Sequence, residues 1–396
     1  MNKFKYYFIL LLAGIALVSC SKKDDDDDVV VVPLRDYTEQ YKADNDSIVK
    51  YLNNNYITVT NNAGKPDDQD VVISKITDPA TQPSIMSYLN SATFPKLLTR
   101  DVYNDDITYK VYYLILREGT GQNPVNTDKV VVDYKGNLLN GTVFDSSNGI
   151  PIKALLWPYD PRGADGSFPV IDGWSEIFPK FKTGVSTTAS NGVISYTDFG
   201  AGVMFLPSGL AYYGSVQGDI PAYSPIVFSF KLYDLQRLDH DQDGVYDYQE
   251  DINNDGYLYD FRDTAKYPKA PDNLVDDTDK DGIADFADYD DDGDGYTTLF
   301  ERAKPAAEIG WGTKDGEQFN YGIAKYYPWD KAVDNPATPN TDETEPRGIP
   351  RRPTGALTDP NKEESISNPK KFVDDDYTAA GRLRIHLDKT YPYQKK

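Results

Sequence analysis

The chain has 396 residues, 39% of them hydrophobic, with 31 Tyr and 16 Phe, so it can fill at least one core and is not disordered throughout. A formal net charge of -22 disfavours nucleic acid, whose phosphates call for Lys and Arg, and anionic membrane surfaces, while it favours solubility and cation binding. With one cysteine, a disulfide framework and a Cys-based zinc site are excluded, and two histidines disfavour Ser-His-Asp catalysis, so any catalysis should do without imidazole.

The amino terminus carries Lys3 and Lys5 and then an apolar run over residues 6–18, shorter than the roughly 18 to 20 residues that span a bilayer. That is the pattern of a secretory signal. The run ends in Leu17-Val18-Ser19-Cys20, which resembles the lipobox of bacterial lipoproteins. The resemblance implies a signal peptide over 1–19, cleavage before Cys20 and a diacylglycerol thioether on it. Each buried methylene adds roughly 0.8 kcal/mol, so two or three acyl chains hold a protein on a membrane where one holds it poorly. Residues 20–35 continue with Ser21, Lys22, Lys23 and Asp24 to Asp28, too charged to fold and suited to a solvated linker. The Ser-Lys-Asp cluster is similar to the export signal that sends lipoproteins of Bacteroidetes to the outer face of the outer membrane. The expected location is therefore the outer membrane, lipid-anchored, at the cell surface, with the periplasmic face left open.

Residues 36–100 read as a helical extension. Tyr41, Ile48, Val49, Tyr51 and Leu52 give a helix over 36–56, and a second short helix is expected over 84–98. From Tyr109 the texture changes to alternating and apolar runs over 109–117, 129–139, 203–207 and 226–235, separated by glycine-rich turns. One good helix, 173–181, interrupts them. The fold class is α+β, an antiparallel sheet with one short helix, and the domain is bounded at 101–238.

Within it, Val130-Val131-Val132-Asp133-Tyr134-Lys135-Gly136 leads into Asn140-Gly141-Thr142-Val143-Phe144-Asp145-Ser146-Ser147. Val170-Ile171-Asp172-Gly173-Trp174 and Thr183-Gly184 follow, then Phe205-Leu206-Pro207-Ser208, Leu210-Ala211-Tyr212-Tyr213-Gly214, Ile220-Pro221 and Ile226-Val227-Phe228-Ser229-Phe230. In this order these segments resemble the FKBP family of peptidyl-prolyl cis-trans isomerases. The resemblance implies an FKBP-like sheet wrapped on the helix, proline-containing polypeptides as substrates and no cofactor. It places Trp174 on the floor of a proline pocket and Tyr134, Phe144, Val170, Ile171 and Phe228 on its walls. Asp145 and Tyr212 supply polar contacts, and the Ile171 N–H bonds the substrate. Isomerising an X-Pro bond transfers no proton. Its barrier of about 18 to 20 kcal/mol comes from amide resonance, and a dry aromatic pocket that prefers the twisted amide lowers it. The sequence departs from the family where two Phe usually follow the Ser-Ser turn: Ile152 and Ala154 stand there instead. Insertions follow at 157–166 and 186–202.

Residues 239–301 hold 21 Asp or Glu against Arg262, Lys266, Lys269 and Lys280, so the acidity of the chain is concentrated here. Asp239, Asp241, Asp243, Gly244, Val245, Asp247 and Glu250 fit a calcium-binding EF-hand loop position for position. Such a loop places carboxylates at 1, 3 and 5, glycine at 6, a backbone carbonyl at 7, a water-mediated group at 9 and a bidentate acid at 12. A second complete copy is formed by Asp290, Asp292, Asp294, Gly295, Tyr296, Thr298 and Glu301. A third has Asp277, Asp279, Asp281, Gly282, Ile283, Asp285 and Asp288, and a weaker one starts with Asp251, Asn253, Asp255 and Gly256. The loops follow one another without flanking helices, and in this they resemble thrombospondin type 3 repeats, which implies a chain wrapped around structural calcium. Residues 302–396 are rich in Pro, Asn, Thr and Lys and are expected to be irregular, whether wrapped over the preceding domains or flexible. Two function classes remain: a lipid-anchored isomerase assisting the folding of secreted or surface proteins, and a non-catalytic peptide-binding or adhesion lipoprotein of the same fold.

Overall fold

The computed structural model describes residues 33–391. Cys20, the apolar run before it and the aspartates behind it lie outside the described residues. Asp36 caps the first helix, α1 (Tyr37–Asn54), by accepting the Glu39 N–H at 3.0 Å. Its buried positions Gln40, Asp44, Ile48 and Leu52 recur every four residues, which lays one stripe against a core. The two polar ones are satisfied inside it. Gln40 donates to Asp44 at 2.6 Å, and Asp44 accepts the Ser208 N–H at 2.7 Å and the Ser208 hydroxyl at 2.6 Å. The helix gives way at Asn55 to the hairpin β1 (Asn55–Val59) and β2 (Val71–Lys75).

The second helix expected over 84–98 does not form: a 3-10 turn, Ile85–Tyr88, is followed by β3 (Lys96–Asn104). Pro95 removes an amide a helix would need, and Asn90 takes a left-handed φ of 56°. Beyond them Leu97 and Leu98 pack on opposite faces of the sheet, the period of a strand rather than a helix. β3 pairs along its length with β4 (Ile107–Arg117). The chain continues through β5 (Lys129–Leu138), β6 (Val143–Ser146), β7 (Ile152–Leu155), β8 (Phe168–Pro169) and the short helix α2 (Asp172–Ile177). A small hairpin, β9 (Val185–Thr188) with β10 (Ile194–Thr197), occupies the insertion at 186–202, before β11 (Gly200–Leu206) and β12 (Ile226–Gln236). The eight-stranded sheet has the order β3-β4-β11-β12-β5-β7-β8 with β6 on β5, antiparallel except between β7 and β8.

All seven residues of β11 are buried, because both faces of the sheet are covered. Met204 and Leu206 join the core beneath α2 with Trp174, Ile177, Phe178 and Phe181. Val203 and Phe205 join a second core with Ile48 and Leu52 of α1. The mixed α+β class holds, with an antiparallel sheet around one short helix.

The acidic repeat packs against α2. The Tyr257 hydroxyl donates to the Glu176 carbonyl at 2.7 Å, and the Tyr259 hydroxyl reaches both Glu176 carboxylate oxygens at 3.0 and 3.1 Å. Arg100 of β3 closes the group, pairing with Glu176 at 2.7 Å and lying 3.3 Å over the Tyr257 ring. Burial pushes the Glu176 carboxyl up, and Arg100 and Tyr259 oppose that. Beyond the repeat, α3 (Thr298–Glu301) and the hairpin β13 (Trp311–Lys314) with β14 (Glu317–Asn320) are followed by irregular chain with short 3-10 turns. That segment is packed. Tyr327, Ile349, Tyr377, Ile385 and Tyr391 bury together with Val245 of the first loop. Among the described residues no helix is long and apolar enough to cross a membrane.

Removing Arg100 leaves Glu176 buried without its counter-ion, which costs about 3 to 5 kcal/mol. Urea unfolding of Arg100→Ala should show that loss, and the double replacement Arg100→Met with Glu176→Leu should recover most of it. Parent-like stability of the single variant would contradict the assignment of this ion pair as a joint.

Candidate functional site

The concave side of the sheet ends in a cavity of about 410 Å³. β5 supplies Tyr134, β6 supplies Phe144 and Asp145, β12 supplies Phe228, and the segment into α2 supplies Val170, Ile171 and Trp174. Tyr212 comes from the loop between β11 and β12. The structure thus brings together all eight residues that the sequence assigned to the pocket. Trp174 is buried at the base, edge-on to Tyr134 at 5.0 Å, to Phe228 at 5.1 Å and to Phe178 at 5.2 Å between ring centroids. Phe144 meets Phe228 edge-on at 5.5 Å. Edge-to-face packing of this kind fixes ring positions beyond what area burial does.

Local backbone makes room for the rings. Gly136 of β5 lies opposite Asp145 of β6, and a Cβ on it would come within 2.5 Å of the Phe144 ring and 2.8 Å of the Phe228 ring. Only glycine lets both aromatics close on the strand at that point. Ile171 is extended (φ -73°, ψ 155°) as the residue before α2, and its N–H has no hydrogen-bond partner among the described residues. The neighbouring Val170 N–H is used by the Leu155 carbonyl at 3.1 Å.

The polar lining of the cavity comprises Tyr134, Asp145, Tyr212 and Gln217, of which the first two are bonded to each other. Tyr134 donates its hydroxyl to Asp145 at 2.5 Å, and the other Asp145 oxygen accepts the Ser146 N–H at 2.8 Å. Burial, then the hydrogen bond to Asp145 and its charge, raises the Tyr134 phenol, while burial and then the Asp145 charge raise that of Tyr212. Both stay protonated as donors at neutral pH. Neither histidine lines the cavity.

Further lining comes from Pro158, Phe168, Pro169, Gln217 and Ile220, to which sequence reasoning gave no pocket role. Ile220 lay inside a recognised motif, and Phe168-Pro169 directly precedes Val170, so adjacency was the available signal. Ile152 packs against the core beneath the pocket and Ala154 is fully buried. Neither replaces the aromatic surface expected of that strand, whereas Phe168 adds a ring from the neighbouring segment.

The acidic loops repeat one backbone design four times. The carboxylate at position 1 accepts the N–H of the glycine at position 6: Asp239 from Gly244, Asp251 from Gly256, Asp277 from Gly282 and Asp290 from Gly295, at 2.8 to 3.0 Å. Positions 3 and 5 accept the N–H two residues on, as Asp241 from Asp243 and Asp243 from Val245, or Asp292 from Asp294 and Asp294 from Tyr296. The glycines sit at φ 87° to 99°, where other residues are strained. Asp277, Asp279 and Asp281 converge, as do Asp290, Asp292 and Asp294. Val245, Ile283 and Tyr296 hold position 7 of their loops. Of the acids at position 12, Glu250 joins Asp241 and Asp243, whereas Asp288 and Glu301 stand outside the convergent groups.

Two expected ligands are turned elsewhere. Asp247 accepts the His240 N–H at 3.1 Å and meets the His240 ring at 2.5 Å. Asp285 accepts the Thr278 N–H at 2.8 Å and hydroxyl at 2.6 Å. Position 9 therefore ties position 2 of its own loop instead of facing the convergent carboxylates. Although burial opposes charge on His240, hydrogen bonds to Asp160 and Asp247 push its pKa up to about 10. Burial pushes Asp241 up to about 9, Asp292 to about 7 and Glu301 to about 10, with neighbouring carboxylates adding to each. A divalent cation is the group that reverses such shifts, and oxygen-only donors suit a hard one.

Residues 120–233 match the family model of the FKBP-type peptidyl-prolyl cis-trans isomerases, and residues 240–340 match the model described as BamM C-terminal. The chain is 41% identical over 75 residues to the peptidyl-prolyl cis-trans isomerase Mip of Coxiella burnetii, covering 18% of this chain and 27% of that protein. It is 32% identical over 126 residues to the FKBP-type isomerase FkpA of Escherichia coli, covering 31% of this chain and 37% of that one. The crystal structure of FkpA from Escherichia coli aligns over 32% of this chain and 48% of that chain, with 32% identity and a TM-score of 0.24. The chain spans about a quarter to under a half of the length of the curated relatives it matches.

Proposed function

We propose that the protein is a peptidyl-prolyl cis-trans isomerase of the FKBP type, anchored to the outer membrane through lipid on Cys20, that assists the folding of secreted or surface proteins. The observation that carries the enzymatic part is the aromatic cavity floored by Trp174, with the Tyr134–Asp145 pair on its wall and an unused N–H at Ile171. The family match over 120–233 spans all eight residues assigned to that cavity.

The site works by binding the twisted amide better than the planar one. A proline ring enters between Tyr134, Phe144, Phe228 and Trp174. The carbonyl before it leaves water, and the dry surroundings disfavour the charge-separated resonance form on which planarity depends. The Ile171 N–H holds the peptide backbone in place while the bond turns. Tyr134 and Tyr212 stay neutral and Asp145 stays fixed by Tyr134, so no proton moves. No cofactor takes part.

In the acidic repeat, bound calcium orders the chain. Convergent carboxylates, glycines at a fixed offset and buried oxygens without partners support this reading. Calcium would be held by the carboxylates at positions 1, 3 and 5, and it would supply the charge that lets them lie together. The anchor rests on the lone Cys20 behind a short apolar run, with the cell surface as the favoured face.

Purified protein should accelerate cis-trans isomerisation of a proline peptide, and Trp174→Ala should lower kcat/KM about 10- to 100-fold. Phe168→Ala should raise KM about three- to tenfold with kcat retained, the signature of lost ground-state binding. No acceleration over the uncatalysed rate would leave only peptide capture. Chelation should make residues 239–301 cleavable under protease conditions that spare the calcium-loaded chain, and an unchanged digest would contradict ion-dependent order. In a bacterial host, Cys20→Ser should abolish incorporation of labelled palmitate and shift the protein out of the membrane fraction. Retained label would remove the lipid anchor from the proposal.

A further inference from the structure

Asp291 stands at position 2 of the fourth loop, a place that no calcium-loop pattern assigns to a ligand. Its side chain is buried, with 1% exposure, and neither carboxylate oxygen meets a well-directed donor, although the buried Thr298 hydroxyl of the same loop lies near enough to favour its charged form. Asp291 shares one cluster with Asp241, Asp243 and Glu250 of the first loop, each contributing an oxygen within 4.8 Å of the others, and all four residues are buried.

The oxygens that remain free there are telling. Backbone amides use one oxygen of Asp241 and one of Asp243. The other oxygen of each, both oxygens of Glu250 and both of Asp291 are buried without a partner. These are six oxygens on four carboxylates, and calcium takes six to eight. Four buried carboxylates without a cation would be strongly destabilising. Among the described residues, Arg302 is a cation beside them, and it donates to the Asp243 carbonyl and to the Tyr327 carbonyl. Its bonds go to backbone, so the carboxylate oxygens stay open. Arg302 also shows independently that the end of the fourth loop lies on the first: a Cβ on Gly244 would fall 2.1 Å from its guanidinium.

We propose that Asp291 completes a composite calcium site with Asp241, Asp243 and Glu250, so that one ion staples the first acidic loop to the fourth. This deepens the reading that the repeat binds calcium and rests on it. The position left open when Asp247 turns to His240 is taken by an acid 44 residues later. The repeat is thereby closed on itself by metal rather than strung as independent loops.

The test uses the full chain, with calcium counted by elemental mass spectrometry after equilibration in calcium buffer. Hydrogen exchange is followed over residues 239–250 in the same samples. Asp291→Asn should lose one calcium per chain, and exchange at 239–250 should rise although the substitution lies in the fourth loop. Glu250→Gln should lose the same ion from the other side, and the double variant should lose no more than either single one. A parent-like calcium count in Asp291→Asn, or separate losses that add in the double variant, overturns the composite site while leaving calcium binding by the repeat intact. A parent chain that binds no calcium overturns both. If magnesium at the same concentration restores the full count and protection, the ion assignment fails, since magnesium keeps its waters and resists an all-protein cage.

Discussion

The buried carboxylate of Glu176 is the constraint on which the assembly of this chain turns. An ionised carboxylate without partners in a protein interior is penalised by several kcal/mol, so the helix that carries it cannot be placed alone. Arg100 comes from β3, ahead of the residues matched by the isomerase family, and Tyr259 comes from the acidic repeat behind them. Two residues before Glu176 on the same helix is Trp174, the floor of the pocket. The six residues of α2 therefore fix the pocket on one side and receive an edge strand and the repeat on the other. Lys266 repeats the arrangement one turn earlier, bonding both oxygens of Asp172 at 2.8 Å.

The repeat solves the opposite electrostatic problem, many like charges and few cations. Its loops are drawn tight by their own backbone amides, which take both oxygens of Asp251 and Asp277 but in the first and fourth loops leave one oxygen of Asp239, Asp241, Asp243, Asp290 and Asp292 buried without a partner. Carboxylates that bond N–H groups gain stability in the charged form, yet burial here outweighs that gain and raises Asp241 and Asp292. The local geometry is thus set by Asx-type turns and glycine, while the carboxylate charges are left without counter-charges of their own in the first and fourth loops. The irregular tail covers the first loop through Val245 and supplies Tyr327, whose carbonyl takes two bonds from Arg302. A segment with little regular structure is ordered there because it shares a core with a loop that cannot bury much apolar surface by itself.

Much of this was legible in the sequence, for identifiable reasons. Strands β4, β5 and β12 announce themselves by long apolar runs, α1 by its i, i+4 spacing, and the pocket by aromatic residues in ordered motifs. The glycine offset marks every acidic loop, including the weak one at Asp251, whose backbone closes like the others. What sequence reading missed is tertiary. Leu97 and Leu98 look like part of a helical stripe until the edge of the sheet claims one for each face. Asp247 and Asp285 occupy ligand positions in the pattern, but the side chain or N–H at position 2 engages them first. Asp291 carries no motif signal, because its partners lie 41 to 50 residues upstream. The docking of the tail was undecidable from composition, since prolines and scattered aromatics suit a wrapped chain and a loose one alike.

The insertion at 157–166 shows how the pocket and the repeat come to share a boundary. Asp165 pins it to the sheet through Lys129 and Lys153, each at 3.0 Å. At its start Pro158 lines the cavity, while the preceding Trp157 packs edge-on against His240 at 4.8 Å and Phe286 at 5.4 Å, both residues of the acidic loops. Asp160 of the same insertion holds the His240 ring at 3.0 Å. It is in this segment that one wall of the cavity becomes continuous with the repeat. Phe168, just beyond it, brings the ring that the preceding strand lacks. Aromatic surface of the cavity is thus supplied by Phe168, on a connection whose start, through Trp157 and Asp160, packs against the acidic loops, so the shape of that wall depends on the order of those loops as well as on the sheet.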